Sequence, residues 1–122
     1  MPTIKQHHDA VRDLGCCVSH TDQGVTLHHC LGGSVISYFG YPENPGMGQR
    51  QNDWLVIPIA AKYHVGDYGI DAGMGVPSWE VLFGSQVYWL CWVNEQLDYN
   101  IFDMAGVPDP QLSVVTGMGA LV

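Results

Sequence analysis

The sequence predicts a small α+β domain, and three observations carry that reading. Its 122 residues suffice for one modest core, and 47% of them are hydrophobic against 13% charged, a balance that favours globular folding over disorder. Two short apolar runs, "VTLHH" and "DWLVIPI", read as strands, and other stretches repeat apolar residues at helical spacing. The sequence holds no internal repeat and no low-complexity segment, so residues 1–122 are expected to form a single domain.

The elements follow in order. Ile4, His8, Val11 and Leu14 recur at helical spacing, and Gly15 stops the run, which predicts a helix over 3–14. "CCVSHTDQG" is a turn. "VTLHH" is a strand with Val25 and Leu27 on one side, and strand alternation sends His28 and His29 to opposite faces. At most one of the pair can meet a core. From Leu31 to Asp53 a long loop holds seven glycines and prolines, and so long a loop in a small domain tends to be functional. "DWLVIPI" is the second strand, which Pro58 is expected to end. "AAKYHVGDYGID" starts as a short helix and breaks at Gly66 and Gly69. "GVPSWEVLFG" and "SQVYWLCWVNEQLDYNIF" read as helices, with Pro77 near a first turn and Val87, Leu90, Val93 and Leu97 on one face. Trp79, Phe83, Trp89 and Trp92 are read as core packing, and residues 104–122 as an irregular tail.

Composition narrows the function classes. Four Lys and Arg stand against 12 Asp and Glu, a formal net charge of −8. That balance opposes free-standing nucleic-acid binding, because only Lys5, Arg12, Arg50 and Lys62 are present to neutralise phosphates. No apolar run approaches the roughly 18 residues a membrane span needs, and "MPTIKQHHDAVRD" lacks the apolar centre of a signal peptide. A cytoplasmic protein with reduced cysteines at 16, 17, 30 and 91 is the expectation, with Cys91 buried.

Two strands and a following helix can bring His28, His29 and His64 together. A divalent ion held by imidazole and carboxylate groups polarises a phosphoryl oxygen, and a neutral imidazole nearby serves as general base on water. His7, His8 and His20 read as solvated surface residues. "GGSV" and "GMGQR" lack the strand and helix context of a phosphate-binding loop and read as turns.

Several segments, in order and spacing, resemble the HNH (His-Me finger) endonucleases, particularly the phage-encoded RecA-dependent nuclease (Ref-like) group. They are "LGC" at 14–16, "HHC" at 28–30, "GMGQR" at 46–50, "DWLVIPIAAKYH" at 53–64, "GDYGID" at 66–71 and "SWEVLFGSQ" at 78–86. The resemblance covers about Leu14 to Leu90. It implies a ββα-metal core flanked by helices, with His28 and His64 as metal ligands and His29 as general base. Asp71 stands where such proteins usually carry another histidine, and a carboxylate there still suits Mg²⁺ or Mn²⁺. The Asn of the motif has only Asn52 or Asp53 as candidates. A structural zinc is not expected, because the family's CxxC and Cys-x-x-His read here as Cys16-Cys17-Val18-Ser19 and Ala60-Ala61-Lys62-Tyr63.

The implied activity is hydrolysis of DNA phosphodiester bonds with one divalent ion (Mg, Mn or Zn), in a protein of phage or prophage origin, with Arg50 or Lys62 touching the phosphate. The partner would be DNA or a DNA-bound host protein. The alternative is a non-catalytic acidic phage protein on a degenerate HNH scaffold, which inhibits a host defence complex by occupying its basic nucleic-acid groove. A third reading is a histidine-rich regulator that binds Zn²⁺ without catalysis.

Overall fold

Thr3 starts the first helix: its hydroxyl accepts from the Gln6 N–H while the Gln6 side chain accepts from the Thr3 N–H. This reciprocal cap satisfies two donors that a helix start leaves unpaired. The computed structural model describes residues 1–40 and 52–110. Within them the order is α1 (Ile4–Asp13), β1 (Val25–His29), α2 (Ser34–Phe39), β2 (Val56–Ala60), α3 (Ala61–His64), α4 (Val76–Phe83), α5 (Gln86–Gln96) and α6 (Ile101–Ala105). The described residues thus make a small mixed α+β structure around one two-stranded antiparallel sheet.

Val25 pairs with Ala60, Leu27 with Pro58 and His29 with Val56. Pro58 therefore sits inside β2 instead of ending it, and the pairing runs over 56–60, two residues later than the apolar run begins to suggest. The ladder explains the tolerance. The Pro58 carbonyl turns away from β1 and accepts from the Cys17 N–H at 2.9 Å. The missing proline N–H thus falls on the outer edge of β2, where no β1 partner is lost. The ladder continues past both strand ends, with Cys30 N–H donating to Leu55 O and Ala61 N–H to Gly24 O.

All five residues of β2 are buried. Helix α1 packs on both strands, α3 follows β2 directly and also touches both, and α5 covers β2. Leu55, Ile57, Ile59, Trp79, Leu90 and Phe102 are among the largest buried side chains. Of the aromatic residues read as core, Trp79 is fully buried, and Phe83, Trp89 and Trp92 pack against the core with part of each ring exposed.

Three expectations change. The long loop contains α2, whose start is tied to α4 by Glu80. The single helix expected over 85–102 is two, because Leu97 turns extended (φ −103°, ψ 160°) and the Asn100 side chain caps α6 by accepting from the Phe102 and Asp103 N–H groups. Helix α6 also runs to Ala105, two residues into the segment read as tail. Residues 111–122 of that tail, and the "GMGQR" stretch with Arg50, lie outside the described residues. Among the described residues no helix is long and apolar enough to cross a membrane.

His7 is not a surface residue. It is fully buried beside Val11. Its Nε2–H donates to the Trp54 carbonyl at 3.1 Å, which leaves Nδ1 to accept from the Tyr99 hydroxyl at 2.6 Å. Burial lowers the His7 pKa, so the ring is held neutral there.

Candidate metal centre

His28 and His64 meet at the carboxylate of Asp71. His28 stands on β1 with 1% of its surface exposed, His64 ends α3, and Asp71 lies in the turn after α3, where its N–H donates to the His64 carbonyl at 3.0 Å. Asp71 Oδ2 is 3.1 Å from His28 Nδ1 and 2.7 Å from His64 Nε2. One donor atom from each of the three residues lies within 4.8 Å of the others, the convergence that a shared ion requires.

The far side of each ring fixes its tautomer. Gln86, fully buried at the start of α5, directs its amide nitrogen at the carbonyls of Leu31 (2.8 Å) and Gly32 (3.3 Å), and its Oε1 accepts from the Leu31 N–H at 3.2 Å. That same Oε1 lies 2.8 Å from His28 Nε2. An oxygen so oriented only accepts, so His28 Nε2 carries the proton. The Thr26 hydroxyl donates its one proton to Ile59 O at 2.8 Å and lies 2.8 Å from His64 Nδ1. It must accept there, so His64 Nδ1 carries the proton.

Both neutral rings therefore turn bare lone pairs, His28 Nδ1 and His64 Nε2, toward a carboxylate oxygen. Three acceptors facing one another repel. The set is closed either by protons on the imidazoles, giving imidazolium–carboxylate pairs, or by one cation that all three ligate. Outer partners that set tautomer and ring orientation are the usual second layer of a histidine metal site. Burial alone would raise the Asp71 pKa, but in the imidazolium arrangement the hydrogen bonds and charge of His28 and His64 hold its carboxyl well below the usual range.

His29 takes the other direction. Its Nε2 lies 3.0 Å from Asp53 Oδ1, and its ring meets that of His8 edge-on with centroids 5.8 Å apart. His8, half-buried, bonds through Nε2 to the Asp53 carbonyl at 2.8 Å. The structure thus separates the sequence candidates: His28, His64 and Asp71 form one group, and His29 belongs to a second with His8 and Asp53. Lys62 is exposed on α3, its ammonium 5.0 Å from the centroid of the Tyr63 ring. Of the two candidates for the motif's Asn, Asn52 accepts from the nearby Trp54 N–H and donates to the distant Ala105 O at the end of α6, whereas Asp53 is the one that meets a histidine.

Sequence reasoning passed over Gln86, Thr26 and His8. The one signal for Gln86 was a polar residue opening an otherwise apolar helix. All four cysteines are free and buried, and burial raises the thiols of Cys17 and Cys30 well above their ordinary pKa. No protein-family model, curated protein or solved structure that was compared matches the chain.

Proposed function

We propose that the chain is a divalent-metal-dependent phosphodiester hydrolase, an HNH-type DNA endonuclease in which two strands and α3 form the ββα-metal core. The observation that carries the reading is the set of two lone pairs and one carboxylate that His28, His64 and Asp71 bring together. Two nitrogens and an oxygen suit Mn²⁺ or Zn²⁺, and Mg²⁺ through the carboxylate. When bound, the ion supplies a Lewis acid for a phosphoryl oxygen and for the departing 3′ oxygen. Asp71, whose side chain is 45% exposed, gives the group its open side. His28 is the sealed one.

His29 supplies the base. With Nε2–H donated to Asp53, its Nδ1 keeps a lone pair for a proton of the attacking water, and the carboxylate steadies the imidazolium that results. Lys62 and Arg50 are the proposed phosphate contacts.

One observation favours a second reading: a net charge of −8 with four basic residues fits an acidic protein that occupies a basic nucleic-acid groove on a partner without cutting. Plasmid nicking separates the two. The nuclease nicks supercoiled DNA with Mg²⁺ or Mn²⁺ and stops doing so in EDTA and in His64→Ala. An acidic competitor leaves the plasmid intact whichever ion is supplied.

A further inference from the structure

We infer that His8, His29 and Asp53 form a second divalent-cation site, of zinc class, on the face of β1 opposite His28. The three come from distant parts of the chain: His8 from α1, His29 from the end of β1, and Asp53 from the segment before β2. All three are half-buried, and one donor atom of each lies within 4.8 Å of the others. The 3.0 Å between His29 Nε2 and Asp53 Oδ1 matches the roughly 3.0–3.4 Å between neighbouring donors on one ion with bonds of about 2.1 Å. A cation there takes the place of the proton that the pair otherwise shares. His8 reaches the Asp53 carbonyl through Nε2, which puts its proton on that nitrogen and leaves Nδ1 with a lone pair.

Two imidazoles and one carboxylate are a borderline-soft set that favours Zn²⁺ over Mg²⁺ and leaves one coordination position for water. The chain's net charge of −8 adds long-range attraction for any cation. Adjacent histidines on one strand thereby serve two sites, one on each face. An imidazole with a cation on one nitrogen and a proton on the other has no lone pair left for water. Zn²⁺ at this second site therefore silences hydrolysis that uses His29, and that consequence alone rests on the nuclease reading.

The test is equilibrium dialysis of the whole protein against Zn²⁺, counting ions per chain. Wild type should hold two, His8→Gln one, His64→Ala one, and the double variant none. Glutamine at position 8 keeps a donor for the Asp53 carbonyl while removing the ligand nitrogen, and thermal unfolding in EDTA checks that the fold is kept. Asp53→Asn repeats the loss through a different side chain. Counts in both His8→Gln and Asp53→Asn equal to wild type overturn the second site. A His64→Ala count equal to wild type, with a lower count in His8→Gln, overturns the first site and leaves the second standing. Plasmid nicking in Mg²⁺ with added Zn²⁺ then reads whether the second ion silences the enzyme.

Discussion

Thr26 and Gln86 each occupy the far nitrogen of an imidazole, and so decide which lone pair the imidazole offers to Asp71. Thr26→Val is the cleaner probe, since valine suits a strand at least as well as threonine. It should lower affinity for Mn²⁺ or Zn²⁺ by about 10- to 100-fold, read by calorimetry, while unfolding in EDTA shifts by about 1–3 kcal/mol for the two hydrogen bonds lost, to Ile59 O and from His64 Nδ1. His29→Ala removes a half-exposed ring from outside the core and should keep the fold. Nicking should fall by about 10² to 10⁴, the usual worth of a positioned base; unchanged nicking would remove His29 from the mechanism. The His28–His29 pair was legible because alternation along a strand must separate neighbours. Gln86 was not, because it lies 58 positions from His28 and nothing local announces the contact. His7 was misread for a related reason: the stripe was read through Ile4, His8, Val11 and Leu14, which has Val11 right, but the buried partner of Val11 is His7, four positions before it, and not His8.

Among the elements, Glu80 on α4 ties two helix starts together. Its carboxylate accepts from the Ser34 N–H at 3.0 Å, the Ser34 hydroxyl at 2.6 Å and the Gln86 N–H at 2.7 Å. The start of α5, and with it the residue that orients His28, is held by this one side chain. Glu80→Ala should cost about 1.5–3 kcal/mol in urea unfolding, the range for bonds to a charged acceptor, and should weaken metal binding as well. Gly33 tests the same joint from the other side. It has φ +49°, and a Cβ there would run into the Glu80 carboxylate and Val76, so Gly33→Ala should destabilise by about 1–3 kcal/mol. Hydrophobic period and Pro77 made α1, α4 and the start of α5 readable. The register of β2 was not, because whether a proline ends a strand depends on which edge its missing N–H faces, and only the pairing with β1 and the Cys17 contact determine that. The break after Gln96 was hidden for a similar reason, since Asn100 caps α6 through side-chain bonds that apolar spacing does not register.

At the scale of the whole molecule, an acidic chain with few basic residues brings histidine and carboxylate groups together at two places among the described residues, the donor sets of the two proposed metal sites. Binding to the folded state alone stabilises by mass action, so an ion at 100 times its dissociation constant should add about 2.7 kcal/mol. Mn²⁺ or Zn²⁺ should thus raise the melting temperature, EDTA should reverse the rise, and the gain should shrink in Asp71→Asn. The four cysteines should titrate as free thiols in unfolded, unreduced protein and react slowly in the native state, since all four are buried. The α+β character was legible from composition and pattern, whereas the joining of positions 28, 64 and 71 depends on the turn after α3, where Asp71 N–H bonds back to the His64 carbonyl. The most direct test of the central claim is anomalous diffraction from crystals grown with Mn²⁺. A peak about 2.1–2.3 Å from His28 Nδ1, His64 Nε2 and a carboxylate oxygen of Asp71 is the expected result. An ordered site in which Asp71 stays bonded to both imidazoles, with no anomalous peak between them at millimolar Mn²⁺, would contradict it.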